Sequence, residues 1–147
     1  MEEIFKQLPG YALMLKDKYK TTLQVGDIVN VYIDVFNKNN VIQGIIKYNN
    51  QFYIQLEKNI YLPQYLGEAS EYIKYNKIFL NNIDKELVID SENVLIISRG
   101  VNIYNKCLEL YQSNKLEHLY HILLNLHETK KINISMEMIQ FLKRIKD

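Results

Sequence analysis

The hydrophobic period of this chain changes once, at Gly100. From Leu23 to Arg99 the apolar residues fall in short alternating runs, as in half-buried strands. Beyond Gly100 they recur every three or four residues, as in amphipathic helices. Strands followed by helices, rather than interleaved with them, predict an α+β fold. The short strands and their spacing predict a small antiparallel β-barrel, SH3-like or OB-like, followed by a C-terminal helical segment. The reading divides the chain into residues 1–100, an N-terminal segment with the barrel, and 101–147, helices packed on or beside it.

Within the strand region, "VGDIVNVYIDVF" puts Val29, Val31, Ile33 and Val35 on one face and Asn30, Tyr32 and Asp34 on the other. Gly26 is placed to supply an unusual backbone angle, and Asp27 to accept bonds from nearby backbone N–H groups. "NKNN" at 37–40 is a turn by composition. "GIIKYNNQFYIQL" (Gly44–Leu56) then reads as a hairpin turning on Asn49 and Asn50, since asparagine tolerates positive φ. That turn pairs Ile45 with Ile54 and Lys47 with Phe52 on the core face. It places Ile46, Tyr48 and Tyr53 on the other face, in phase with Tyr32. "NIYLPQYL", "IKYNKIFL", "KELVID" and "NVLIISR" read as further strands, and "GEASEYIKY" at 67–75 as a single helical turn.

The helical signals are short. Residues 2–8 have Ile4, Phe5 and Leu8 on one side and end at Pro9-Gly10; the run Tyr11–Leu15 fits a helix end or a strand. "VNIYNKCLELY" is helical. Ser113 or Asn114 is placed to cap a helix of about 115–128, with Glu117 completing a capping box. Its stripe is Leu116, Leu119, Tyr120, Leu123 and Leu126. Ser135 caps a last helix with Met138, Ile139, Leu142 and Ile145 inward and Lys143, Arg144 and Lys146 near its end.

Composition narrows the function classes. At 147 residues the chain is long enough to bury a core without metal or disulfide staples. A net charge of +1 argues against a protein that coats DNA, though not against a local basic patch. The lone Cys107 forms no internal disulfide, no signal-peptide pattern opens the chain, and no apolar run approaches the ~20 residues of a membrane helix. The expectation is a soluble cytoplasmic protein. Ile, Asn, Lys and Tyr, all with AT-rich codons, are abundant, a composition common in phages and mobile elements.

The chemistry-bearing residues read mostly as surface or core. His118 and His121 share a helix face, but with Asn114 and Asn125 they form its polar side, and no Cys or carboxylate except Glu117 stands at ligand spacing. Cys107 reads as a small buried hydrophobe. No phosphate-binding loop, nucleophile elbow, zinc-protease or deaminase motif is present. No cofactor, metal site or catalytic residue is expected.

Three segments together, "GDIV", "GIIKYNNQFYIQL" with "YLPQYL" after it, and "VLIISRGVNIYNKCLEL", resemble the phage YopX-type small β-domain over about residues 23–110. That family opens a strand with "GDIV", has a "GVV.Y..G.F.." hairpin and closes on "V.GNIYENPELL". Gly100, Asn102, Ile103, Tyr104, Leu108 and Leu110 match the closing motif, with Val101 as an extra residue. The chain departs from the family by an insertion over 67–92, by Cys107 after Lys106 where a proline is expected, and by its N-terminal region. The resemblance implies phage origin and a small barrel, and it carries over no catalytic residues.

The tyrosines on the non-core hairpin face raise the functional question. The C-terminal helices would cover such a face in a purely structural reading. In the functional reading it seats a protein partner or a second copy of the chain, because tyrosine buries a large area while keeping a polar tip. The expected function is a non-enzymatic binding protein that occupies a surface of a host or defence macromolecule, as an inhibitor or adaptor. Its expected partner-binding residues are Tyr32, Tyr48, Tyr53, Tyr65 and Lys47, with Lys143, Arg144 and Lys146. The alternative is a nucleic-acid-binding barrel, with bases stacked on the tyrosines and Lys47, Lys58, Lys74 and Lys77 along the phosphates.

Overall fold

A computed structural model describes residues 2–35, 38–63, 72–81, 87–129 and 134–146. The fold is α+β, and the chain forms two compact units. One is Ala12–Arg99; the other combines Met1–Tyr11 with Gly100–Asp147. The first eleven residues therefore cluster with the C-terminal helices, not with the strands that the sequence reading grouped them with.

The strand unit holds β1 (Ala12–Lys16), β2 (Thr22–Gln24), β3 (Ile28–Val35), β4 (Lys38–Tyr48), β5 (Phe52–Pro63), β6 (Tyr72–Leu80), β7 (Val88–Ile89) and β8 (Val94–Ser98). β1 and β2 pair as a separate ribbon. The other six form a curled half-barrel sheet in the order β7-β6-β5-β4-β3-β8. The sheet is mixed rather than purely antiparallel, because β7 runs parallel to β6, with Phe79 opposite Val88 and Leu80 opposite Ile89. Asn81, at a φ of 49°, redirects the chain there, and its side-chain oxygen accepts the Ser91 N–H at 2.9 Å. "NKNN" is not wholly a turn: β4 already starts at Lys38, opposite Val35. The expected helical turn at 67–75 falls mostly outside the described residues, and Tyr72–Tyr75 belongs to β6.

The concave side of the sheet is the core of this unit. Leu23, Val29, Val31, Ile46, Ile54, Ile78 and Val94 are fully buried, with Leu13, Val25, Leu56 and Leu80 nearly so. Burying side chains of this size stabilises by roughly 1.5–3 kcal/mol each.

The "GDIV" segment behaves as its residues demand. Gly26 has a φ of 92°, and its N–H donates to the Ile46 carbonyl at 2.8 Å. Asp27 is buried; one carboxylate oxygen accepts the Gln24 N–H at 2.8 Å, and the other lies 3.2 Å from Arg99 Nε. Arg99 also donates to the Thr22 carbonyl, so it ties the end of β8 to β2.

A second buried carboxylate, Asp17, accepts the N–H groups of Tyr19 and Thr21 at 2.9 Å and of Ile96 at 3.2 Å. Lys18 N–H donates to the Val94 carbonyl at 2.8 Å. Outward-facing groups of the edge strand β8 are thereby occupied by the β1–β2 turn, which blocks strand addition at those positions.

The helical unit contains α1 (Glu2–Phe5), α2 (Ile103–Gln112), α3 (Leu116–Glu128) and α4 (Met136–Lys146). Its core is Phe5, Leu8, Cys107, Leu110, Leu119, Leu123, Met138, Phe141 and Leu142. The apolar stripes of the helices thus close on one another and on the N-terminal segment. Phe141 is fully buried and meets Phe5 edge-to-face, with ring centroids 5.6 Å apart.

Pro9 ends the N-terminal segment, and its carbonyl accepts the N–H groups of Ile103 and Tyr104, each at 2.9 Å, at the start of α2. Ser135 caps α4 as its position predicts: its Oγ accepts the Met138 N–H, and its own N–H donates to Gln7 Oε1 at 2.8 Å. The capping box expected for α3 is absent. Lys115 is the N-cap residue and makes no side-chain cap bond. Asn114 instead takes a left-handed φ of 58° in the tight turn after α2.

Candidate binding face of the sheet

The hairpin decides which side chains can meet a partner. Its loop has three residues, Asn49, Asn50 and Gln51, because Tyr48 pairs with Phe52, Lys47 with Tyr53 and Ile46 with Ile54. Only Asn50 is left-handed, at a φ of 62°, whereas a two-residue turn of the mirror-image type needs both central residues there. The register therefore slips by one from the expected pairing, and a slip of one exchanges the faces of one strand relative to the other. Ile46 goes to the core in place of Ile45. Tyr48 follows it to the concave side, where its ring lies 4.7 Å from that of Phe52.

The convex face is read from the ladder. Ile28 pairs with Ile45, Asn30 with Gln43 and Tyr32 with Val41. Ile45 pairs with Gln55 and Lys47 with Tyr53, and these continue to Lys77 and Phe79 on β6. Asn30 also pairs with Leu95, and the irregular register beyond it places Ile97 in the bulge of β8. Val41 is 55% exposed and Ile97 45% exposed; Ile28, Tyr32, Ile45, Tyr53, Phe79 and Leu95 are half-buried.

Lysines lie over the two tyrosines of this face. Lys18 Nζ is 5.0 Å from the Tyr32 ring centroid and Lys77 Nζ is 4.9 Å from that of Tyr53. Such contacts are worth about 0.5–1 kcal/mol at exposed sites. Burial pushes the Tyr53 phenol above its ordinary value, so it is a neutral hydroxyl at physiological pH. At ladder-paired positions this face carries Lys47 and Lys77, and Asp34, paired with Asn39, continues the alternation of Ile28, Asn30 and Tyr32. Beside it, Glu57 and Lys58 stand together where the β5–β6 register is irregular.

Tyr32, Tyr53 and Lys47 are thus brought together, and Tyr48 is not. Tyr65 lies outside the described residues. Lys143 and Arg144 are exposed on α4, in the helical unit, and Lys146 is its last residue. Sequence reasoning missed Val41 and Phe79 on this face. Their signal was the alternation of Val41 with Gln43 and Ile45, and of Phe79 with Lys77, once Tyr32 and Tyr53 fixed the phase. It also missed Tyr61 and Tyr72, 59% and 54% exposed on the β5–β6 arm.

The chemically reactive candidates stand apart from this face. Cys107 is fully buried, and its thiol is pushed up to about 11 by that burial. His118 and His121 are exposed, with His121 Nε2 3.8 Å from Glu117 Oε1. Among the described residues no three potential metal ligands come together, and no described helix is long and apolar enough to cross a membrane. Comparison with protein-family models, curated proteins and solved structures found no match to the chain.

Proposed function

We propose that this is a non-enzymatic binding protein whose strand unit is a small-barrel relative, SH3-like or OB-like, and whose convex sheet face seats a protein partner. In this reading the protein comes from a phage or mobile element and acts in the host cytoplasm by occupying a surface of a host or defence protein. The observation that carries it is the joining of exposed Val41 and Ile97 to Tyr32, Ile45, Tyr53 and Phe79 in one sheet face. Apolar side chains and tyrosines rimmed by polar ones are the make-up of protein interfaces.

The nucleic-acid reading draws on the same tyrosines and lysines. Against it, a base stacking on Tyr32 or Tyr53 must displace the lysine already lying over the ring.

Tagged protein captured from bacterial lysate, with and without nuclease, separates the two. The protein reading expects a stoichiometric partner that survives nuclease and is lost from the Val41→Asp/Ile97→Asp double variant. Partners lost on nuclease treatment, with nucleic acid in the untreated eluate, overturn it.

A further inference from the structure

The two edges of the six-stranded sheet differ. On the β8 side, Asp17 and Lys18 occupy outward-facing backbone groups. On the other side, β7 covers only Phe79 and Leu80 of the nine-residue β6. Among the described residues, no strand pairs with the outer side of residues 72–78. Two bonds identify the polar groups on that side. The Phe79 N–H donates outward to the Leu87 carbonyl at 2.9 Å, and the Asn76 carbonyl accepts Gln55 Nε2 from the β5 side at 2.9 Å. Successive residues of a strand turn their N–H and C=O groups to opposite neighbours, so those of Ile73, Tyr75 and Lys77 point away from β5. Such a row is a template for another strand.

We infer that the strand which pairs there is β6 of a second copy of this chain, antiparallel, about a two-fold axis at Tyr75. β7 fixes the register. Tyr75 is the midpoint of the open stretch 72–78, so an axis there pairs the whole stretch with itself and stops at β7 in both copies. Tyr75 then meets its own equivalent. Ile73 lies opposite Lys77, Lys74 opposite Asn76, and Tyr72 opposite Ile78 of the second copy. Lysine on an edge strand is a common guard against pairing, because like charges set opposite each other are destabilising. Here the lysines guard against other registers and permit this one. An axis at Lys74 sets that lysine against itself, and an axis at Lys77 does the same. An axis at Asn76 sets Tyr72 against Leu80, which β7 already holds. The pairing leaves both convex faces on the same side of the joined sheet, and it holds whether or not those faces seat a partner.

Sedimentation velocity of the intact chain over a concentration series tests the association. The mass is expected to rise from 17.5 kDa towards twice that value. Tyr75→Lys, which sets like charges opposite each other at the axis, is expected to hold it at the mass of one chain.

Cross-linking tests the register and does not depend on that variant folding, because Lys74 and Asn76 are both exposed. Across the axis they form a pair without backbone bonds, with Cα atoms about 4.5 Å apart. Lys74 and its own equivalent are diagonal neighbours at roughly 7–8 Å, beyond the reach of a disulfide. An equimolar mixture of Lys74→Cys and Asn76→Cys chains should therefore oxidise to a dimer at least about tenfold faster than either variant alone. The native Cys107 is fully buried and does not compete. A mass of one chain at every concentration overturns the inference, as does a dimer of undiminished affinity in Tyr75→Lys. Equal cross-linking in the mixture and in the single variants overturns the axis at Tyr75.

Discussion

Single buried groups set the sharpest expectations. Cys107 has no solvent-exposed surface, and burial holds its thiol at about 11. Labelling with iodoacetamide at mildly alkaline pH should therefore be slow in the folded protein and fast in urea. Rapid labelling of the native chain would falsify the placement. Asp27 gives a pH dependence. Desolvation raises its carboxyl above the usual carboxylate range, and the Gln24 N–H and Arg99 only partly oppose it. The folded state then binds the proton more readily than the unfolded one. The stabilisation linked to that shift is present below the ordinary carboxylate value and is lost as pH rises through the raised one. Urea unfolding of wild type and Asp27→Asn should show the wild type's advantage growing as pH falls across that window. A difference independent of pH contradicts it.

Elements show where sequence pattern suffices and where it does not. Alternation placed Val29 and Val31 in the core, and the 3.6 period placed Leu119, Leu123, Met138 and Leu142 there, because burial follows directly from those periods. The hairpin register was not legible. It hangs on whether one asparagine or two adopt positive φ, an energy difference that the sequence Asn-Asn does not display. The slip moved Ile45 to the convex face and Tyr48 to the concave one, so the sheet brings Tyr32, Tyr53 and Lys47 together and places Tyr48 elsewhere.

Asn50→Gly should leave stability within about 1 kcal/mol of wild type, since glycine accepts the left-handed φ freely at an entropic cost. Asn50→Val should cost about 1–2 kcal/mol in a denaturant titration. At Gly44 an added Cβ would stand 2.7 Å from the Gln55 carbonyl oxygen and against the Ile54 side chain. Gly44→Ala should cost about 1–3 kcal/mol, as overpacking does. A neutral result there means that β4 and β5 are not in this register.

At the scale of the molecule, the helical unit draws on both parts of the sequence that flank the sheet. Phe5 and Leu8 sit in the same buried cluster as Leu123, Met138 and Phe141. A four-residue α1 has no stability of its own, so these side chains are ordered only by that cluster. Phe5→Ala should destabilise by about 3–5 kcal/mol. Hydrogen exchange should locate the loss in α2–α4, and uniform loss of protection across β3–β6 instead would contradict the division into two units.

That arrangement also orders events during synthesis. Strands β1–β8 are contiguous and can pair as soon as Arg99 has left the ribosome. Phe5 and Leu8 precede the strands in the chain, yet the other side chains of their buried cluster all follow them. At elongation rates of about 5–20 residues per second, the two stay without their core for roughly 7–30 s. Through that interval the nascent chain displays an apolar segment while the strands can already be paired, so the helical unit is assembled only after residues 138–142 have followed them out of the ribosome.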